Sequence, residues 1–213
     1  MTPMMNIPDI LALGPVMPVI VIDDSTQAVP LAEALLSGGI RTIEITLRTP
    51  AALDAIRAVA ANCPDITIGA GTVNRAELAH HARDAGAAFA VSPGTTDDVI
   101  SGCNAAGLPL LPGASTVSEM MALQADGFEA VKFFPANAAG GASFIKALIS
   151  PLPGLSVCPT GGITQDTAPD WLSLSNVPCV GGSWIAPQAA IADGDFDGIA
   201  SRATAAAALQ DRG

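Results

Sequence analysis

Short β-branched segments alternate with alanine- and leucine-rich segments along almost the whole chain, and this alternation limits the possible folds. The first kind of segment predicts a strand and the second a helix. The predicted strands are Val16–Ile22, Arg41–Leu47, Ile66–Gly69, Ala88–Val91, Pro109–Leu111, Ala130–Phe134, Ser156–Cys158 and Cys179–Gly181. The predicted helices between them are Thr26–Ser37, Ala51–Ala61, Arg75–Ala85, Thr96–Ala105, Val117–Gln124, Gly141–Ile149 and Gln165–Leu174. Strands that alternate with helices pair in parallel through right-handed crossovers.

Repeated units of this kind in a 213-residue chain predict an α/β fold, a (β/α)8 TIM barrel at the small end of its size range. Ile7–Leu13 predicts an additional N-terminal helix, and Phe196–Leu209 predicts a C-terminal one. The alternative is an open doubly wound sheet, but its G-x-G-x-x-G fingerprint is not met, because the segment Gly69–Asn74 ends in Asn. No linker divides the chain, so residues 1–213 are predicted to form a single domain.

The charge balance argues against two classes of partner. The chain has 9 basic and 20 acidic residues, a formal net charge of -11. Nucleic acids and anionic membrane surfaces both require clusters of Lys and Arg, so neither is an expected partner. The apolar run Ile10–Ile22 is shorter than the roughly 20 residues that span a bilayer, and it contains prolines. The first residues also lack the basic region of a secretory signal, and we expect a cytoplasmic protein.

Neither the cysteines nor the histidines predict a metal site. The four cysteines form no C-x-x-C pair and no Cys/His cluster with zinc spacing, so reduced, packed thiols are expected. His80 and His81 fall within a predicted helix, and Glu77 lies four residues before His81, a spacing typical of a solvated surface pair. We therefore expect no metal and no cofactor.

The second predicted strand carries polar residues on one face. Side chains alternate along a strand, so Thr42, Glu44, Thr46 and Arg48 share a face opposite Ile43, Ile45 and Leu47. In a barrel the apolar face meets the helices, and Glu44 would then point into the interior. A buried carboxylate is costly unless it is paired or used. The alternative is a half-solvated strand of an antiparallel sheet, in which such alternation is routine.

Lys132 is one of two lysines in the chain and lies in an apolar segment, Phe128–Pro135. A desolvated amine is a better nucleophile and suits Schiff-base chemistry on a ketone. The alternative is a lysine whose stem packs on apolar surface while its head reaches water. Strand alternation turns Lys132 inward, where it could meet Glu44 and form a nucleophile with a proton shuttle.

Two glycine-rich turns are candidates for holding a phosphate. Thr160-Gly161-Gly162 follows the seventh predicted strand, and Gly181-Gly182-Ser183 follows the eighth. Loops at these positions, ending at helix N-termini, form the usual phosphate site of a TIM barrel. The alternative is two ordinary glycine turns. Their occurrence after both strands favours a phosphate site.

Several of these segments together resemble one family, the KDPG/KHG aldolases, which act on 2-keto-3-deoxy-6-phosphogluconate (KDPG) and 4-hydroxy-2-oxoglutarate (KHG). Gly39–Arg48 resembles the active-site signature, and Gly127–Gly140 resembles the Schiff-base signature. Other similar segments are Gly69–Val73, Val91–Gly94, Pro112–Thr116, Pro159–Ile163 and Gly181–Trp184. They run in family order from about Val16 to Pro187. Thr167, followed by Pro169, departs from the Asn that relatives commonly carry.

The resemblance implies a homotrimeric, metal-independent class I aldolase. It would cleave KDPG, a phosphorylated 2-keto-3-deoxy sugar acid, to pyruvate and glyceraldehyde 3-phosphate, and KHG to pyruvate and glyoxylate. By motif position, Lys132 and Glu44 would be catalytic. The implied substrate-binding residues are Arg48 and Thr72 for the carboxylate, Pro93 and Phe134 for the pocket wall, and Thr160, Gly161, Gly162, Gly182 and Ser183 at the distal end.

Three other functions stay open from the sequence. One is an aldolase for the galactonate epimer of KDPG, because the two substrates differ at one hydroxyl and no residue of the sequence identifies which epimer is bound. A sugar-phosphate isomerase or epimerase barrel would share the phosphate loops but would need no lysine imine. A non-catalytic phosphate-binding barrel would bind phosphorylated acids without turnover.

Overall fold

The computed structural model describes residues 5–209 of the chain, so both ends of the predicted domain, 1–4 and 210–213, lie outside the described residues. The strands are β1 (Val16–Ile20), β2 (Thr42–Thr46), β3 (Thr67–Gly71), β4 (Phe89–Val91), β5 (Leu110–Leu111), β6 (Gly113–Ala114), β7 (Ala130–Phe133), β8 (Ser156–Pro159) and β9 (Val180–Gly182). The helices are α1 (Ile7–Leu11), α2 (Ala28–Ser37), α3 (Ala52–Asn62), α4 (Ala76–Asp84), α5 (Asp97–Ala106), α6 (Val117–Ala125), α7 (Gly141–Leu148), α8 (Ala168–Leu172), α9 (Gln188–Ala192) and α10 (Phe196–Ala207).

The strands form an α/β fold with a curled, wholly parallel sheet. One set runs in the order β5-β4-β3-β2-β1-β9, and a second runs β6-β7-β8. A parallel bridge between Thr160 and Gly181 joins the end of β8 to β9. At the other junction, β5 and β6 are separated only by Pro112. Parallel pairing places the carboxyl ends of all the strands at one edge, where the loops that follow them meet.

Pro112 explains why the single predicted strand Pro109–Leu111 became two short strands. Proline has no N–H to donate to a ladder, so it interrupts regular pairing. Its carbonyl oxygen still accepts a hydrogen bond of 2.8 Å from the N–H of Lys132. The chain direction therefore continues from β5 through Pro112 into β6, next to β7.

Buried apolar residues form two clusters, on the two faces of the sheet. The larger lies between strands and helices and includes Ile43 and Ile45 of β2. The smaller lies on the inner face and consists of Ile7, Ile10, Leu11, Met17, Phe89, Val91, Leu111, Ala130, Cys158 and Cys179. The apolar residues of α1 pack onto this inner cluster. The inner face therefore has an apolar layer, with Glu44 among its few buried polar residues.

Other predictions hold with limited changes. α8 is shorter than the predicted Gln165–Leu174, because side-chain and backbone hydrogen bonds between Thr164 and Thr167 fold the residues before it into a turn. α9 was not predicted from the sequence.

The histidines His80 and His81 are exposed on α4, as expected. All four cysteines are free and buried. Among the described helices, none is both long and apolar enough to cross a membrane.

Candidate active site

Lys132 lies at the centre of β7, between two strands with small residues at the same level. It pairs with Gly113 of β6 and with Cys158 of β8. Only 5% of the lysine is exposed. Its Nζ lies 5.6 Å from the centroid of the Phe134 ring, within the range of a cation–π contact. The structure therefore favours the buried lysine of the sequence analysis over a lysine that reaches water.

Glu44 projects from β2 across the interior and meets this amine. Nζ of Lys132 is 3.1 Å from Oε1 and 3.3 Å from Oε2 of Glu44. The glutamate is 2% exposed, so the pair is buried on both sides. Strand alternation predicted both side chains on the inner face, and the structure brings them into contact. A buried carboxylate and amine at this distance can exchange a proton directly.

Gly71 leaves the space in which the Glu44 carboxylate lies. A Cβ atom built on Gly71 would collide with Oε1, Cγ and Cδ of Glu44. Beyond Gly71 the chain turns at Thr72, a non-glycine residue with φ of 62°. This left-handed backbone is strained for a β-branched residue. It presents the Thr72 hydroxyl to Arg48, whose Nε donates to Oγ1 over 3.1 Å.

A cavity of about 490 Å³ opens beside Lys132 at the carboxyl ends of the strands. Seven of the predicted substrate-binding or catalytic residues line it: Arg48, Lys132, Phe134, Thr160, Gly161, Gly162 and Ser183. Gly161 and Gly162 have φ values of 108° and 77°, which glycine adopts readily. The structure therefore brings predicted site residues from segments far apart in the chain to one cavity.

Four predicted residues do not line the cavity directly. Glu44 lies behind Lys132 and accepts a hydrogen bond from it, and Thr72 lies behind Arg48 and accepts one from that side chain. Pro93 follows β4, and its backbone lies against Gly113. Gly182 is covered by the Trp184 ring, which would collide with a side chain at that position. The segments that carry the two glycine turns run on to helices that begin at Ala168 and Gln188, so the glycines lie before those helices.

Gly181 of the second predicted glycine turn also lines the cavity. The other lining residues had no role predicted from the sequence: Val19, Val21, Ile163, Trp184, Ala186, Pro187 and Gln188. Val19 and Val21 could have been found, because they follow from the alternation of the first strand. Trp184 directly follows the second glycine turn. Gln188 begins α9 and its amide donates to Asp23 over 2.5 Å, a contact between distant segments that no local pattern signals.

A family model described as KDPG and KHG aldolase matches residues 7–202. The chain belongs to this aldolase family. A 2-dehydro-3-deoxy-phosphogluconate aldolase of Pseudoalteromonas atlantica is 50% identical over 94% of this chain and 93% of its own length. The KHG/KDPG aldolase of Escherichia coli (strain K12) is 46% identical over 89% of each chain.

A solved structure of the same family extends the likeness to three dimensions. The KDPG aldolase of Legionella pneumophila, with pyruvate captured at low pH as a covalent carbinolamine intermediate, has a TM-score of 0.90 and 44% sequence identity. The alignment covers 93% of this chain and 96% of that one.

A second cavity, of about 480 Å³, has no amine in its lining that could form an imine. It lies at the opposite edge of the sheet, against α1 and the amino ends of β5 and β7, and its lining has no lysine or arginine. Its one thiol belongs to Cys103, and burial raises the pKa of that thiol to about 11. Within residues 5–209, no group of three or more His, Cys, Asp or Glu side chains could hold a metal ion.

Proposed function

We propose that this chain is a class I aldolase that cleaves KDPG to pyruvate and D-glyceraldehyde 3-phosphate, and KHG to pyruvate and glyoxylate. One observation carries the proposal: the buried Nζ of Lys132 lies 3.1 Å and 3.3 Å from the two carboxylate oxygens of Glu44, beside a cavity. This pair supplies the nucleophile and the proton carrier that cleavage through an imine requires.

The first half of the reaction attaches the substrate. Lys132 passes a proton to Glu44, and the free amine attacks carbon two of the keto acid to give a carbinolamine. Glu44 returns the proton to the carbinolamine hydroxyl, which leaves as water, and a cationic imine remains. The short distance between the two side chains allows both proton transfers without rearrangement of the strands.

The second half of the reaction breaks the carbon–carbon bond. Glu44, again a carboxylate, takes the proton from the hydroxyl on carbon four. The bond between carbons three and four breaks, its electron pair moves into the imine to form an enamine, and the aldehyde leaves. Glu44 then delivers its proton to carbon three, and hydrolysis of the imine releases pyruvate and restores Lys132.

The remaining candidate residues would orient the substrate. Arg48 and the hydroxyl of Thr72, already linked by a hydrogen bond, would hold the carboxylate next to the reacting ketone. Pro93 and Phe134 would form the wall beside carbon three. The turns at Gly161–Gly162 and Gly182–Ser183, with Thr160, would hold the distal phosphate through backbone N–H groups.

The proposal also includes the architecture around the site. We infer that the strands close into a full (β/α)8 barrel with α1 as an additional N-terminal helix, and that residues 1–213 form a single domain. The bridge from Thr160 to Gly181 and the continuity through Pro112 support closure. A homotrimer is part of the same proposal and rests on the family resemblance. A cytoplasmic location is also part of it and rests on the sequence patterns given above.

An assay coupled to lactate dehydrogenase tests the proposal. Purified protein should release pyruvate from KDPG and from KHG, and KDPG should be preferred to its galactonate epimer. A preference for the epimer would reassign the substrate. Interconversion of sugar phosphates without pyruvate would indicate an isomerase or epimerase. Binding of phosphorylated acids with no turnover would indicate a non-catalytic barrel.

A further inference from the structure

The distal end of the cavity lacks an obvious partner for a doubly charged phosphate. Of the residues that line the cavity, only Arg48 and Lys132 are basic, and the proposed reaction uses these for the carboxylate and the imine. The net charge of the chain, -11, also disfavours an anion. A phosphate in this cavity must therefore be held mainly by neutral donors whose directions are fixed in advance.

Three successive carbonyl groups in the turn after β8 all point to one neighbouring segment. The carbonyl of Thr160 accepts from the N–H of Ala136 over 2.8 Å, and that of Gly161 accepts from the N–H of Asn137 over 3.2 Å. The carbonyl of Gly162 accepts from the side chain of Asn137, with Nδ2 donating over 2.6 Å. Two of these bonds use backbone groups, but the third depends on the identity of residue 137.

These bonds also set the direction of three N–H groups. In a trans peptide the C=O and the N–H of the same unit point to opposite sides. Carbonyls held toward Ala136 and Asn137 therefore turn the N–H groups of Gly161, Gly162 and Ile163 the other way. Within residues 5–209, the N–H groups of Gly162 and Ile163 donate to no other backbone or side-chain group, and both residues line the cavity.

We propose that Asn137 is a positioning residue for the distal phosphate. Its side chain donates to the Gly162 carbonyl and thereby fixes the direction of the Ile163 N–H, which belongs to the same peptide unit. This role rests on the proposed function, and it would make Asn137 a residue that controls the preference of the enzyme for a phosphorylated substrate. Close packing supports it: a Cβ atom on Gly162 would lie 2.6 Å from Nδ2 of Asn137, so the two residues are in direct contact. Asn137 itself touches none of the reacting atoms.

Asn137→Ala should separate phosphate binding from the imine chemistry. The KM for KDPG should rise about three- to tenfold, as expected for one lost hydrogen bond. The kcat/KM for KHG, which has no phosphate, should change by less than about twofold, and so should the rate at which pyruvate methyl protons exchange with deuterium. Asn137→Gln keeps an amide donor and should recover part of the loss in KM.

Asn62→Ala is the matched control, since Asn62 is also exposed and its Nδ2 donates to a backbone carbonyl, that of Ala58, over 2.7 Å. This variant should leave every rate unchanged. Equal losses on KDPG and KHG for Asn137→Ala, or no change on either, would overturn the proposal.

A binding measurement tests the same residue without turnover. Isothermal titration calorimetry with glycerol 3-phosphate should show a three- to tenfold weaker Kd for Asn137→Ala than for the unsubstituted protein. An unchanged Kd would overturn the role of Asn137. If the unsubstituted protein released no pyruvate from either substrate, the proposed function would fail, while the calorimetric result would still decide whether Asn137 positions a phosphate.

Discussion

The carboxylate of Glu44 occupies the space that a side chain at Gly71 would need. Glu44 projects from β2 and Gly71 ends β3, and a Cβ atom on the glycine would collide with Oε1, Cγ and Cδ of the glutamate. The glycine therefore permits the carboxylate to lie within 3.3 Å of Nζ of Lys132. This relationship makes the proton carrier sensitive to a single methyl group on a neighbouring strand.

Gly71→Ala should slow the proton transfers that Glu44 carries out in both halves of the reaction. The displaced carboxylate should lower kcat by about 10²-fold or more, within the contribution usual for general acid–base catalysis. Exchange of pyruvate methyl protons should slow in parallel, while a pyruvate adduct on Lys132 should still be trapped by borohydride.

Gly69→Ala is the control for this variant. Gly69 is on the same strand, and its Cβ would collide with the Phe89 ring of the inner cluster instead of Glu44. Gly69→Ala should lower the free energy of unfolding by about 1–3 kcal/mol through overpacking. The folded variant should still exchange the methyl protons of pyruvate at the normal rate. A Gly71→Ala protein that exchanges pyruvate protons at the normal rate would contradict the role of the carboxylate.

The buried ion pair should show strong energetic coupling. Lys132→Met leaves a buried carboxylate without its partner, and Glu44→Leu leaves a buried amine, so each should lower the free energy of unfolding by about 3–5 kcal/mol. The double variant places two apolar side chains together and should lie within about 1 kcal/mol of the unsubstituted protein. Urea unfolding at fixed protein concentration measures the free energy of unfolding of the unsubstituted protein, the two single variants and the double variant.

Additive losses in that cycle would show that Lys132 and Glu44 do not depend on each other. Neither single variant nor the double variant should cleave KDPG, because each lacks the nucleophile or the proton carrier. Activity in Glu44→Leu equal to that of the unsubstituted protein would transfer the proton-carrying role to another group.

Thr72→Gly should separate affinity from stability. The left-handed backbone at Thr72 suits glycine, and the relief of strain, about 1 kcal/mol, should offset the greater flexibility that glycine adds to the unfolded chain. The free energy of unfolding should therefore change by less than about 1 kcal/mol. Loss of the hydroxyl that Arg48 contacts should raise the KM for pyruvate in the exchange assay by about three- to tenfold. A large loss of stability with an unchanged KM would contradict this assignment.

The start of α6 should make stability depend on pH through Glu119. Its Oε2 accepts from the N–H groups of Ser115 and Thr116, and the Thr116 hydroxyl accepts from the Glu119 N–H in a capping box. The hydrogen bond from the Ser115 N–H is the largest cause that lowers the pKa of Glu119 below its ordinary value of 4.5. A lowered folded-state pKa means that the ionised carboxylate stabilises the fold above pH 4.5, and that this contribution is lost as the pH falls through the lower value.

Glu119→Gln should therefore lower the free energy of unfolding by about 0.5–1 kcal/mol at pH 7, and the difference should close in acid. Glu77→Gln, at an exposed pair with Arg75, is the control and should have a smaller effect. Urea unfolding over a pH series gives the measurement. A difference that grows as the pH falls would have the wrong sign.

Strand alternation was enough to place Glu44 and Lys132 on the inner face, since the period of a strand fixes which side chains share a side. The alternation of strands and helices predicted the element order, with shifts of a few residues at the ends. The glycine turns predicted where the cavity lies, because parallel strands bring the loops after them to one edge.

What the sequence could not provide were contacts between distant segments. Nothing local indicates that Gly71 leaves room for Glu44, since this depends on the register of β2 against β3. Nor does it indicate that Asn137 reaches the carbonyl of Gly162, since this depends on how two loops meet after folding. The split at Pro112 was also missed, although proline gives a physical signal for it. α9 is only five residues long, too short for a helical period to show.

Mass spectrometry after borohydride reduction in the presence of pyruvate tests the central claim most directly. The chain has two lysines, Lys132 in the buried site and Lys146 exposed on α7. We expect one reduced pyruvyl group on the peptide that contains Lys132 and none on the peptide that contains Lys146. A label on Lys146 alone, or no label on either peptide from active protein, would contradict it.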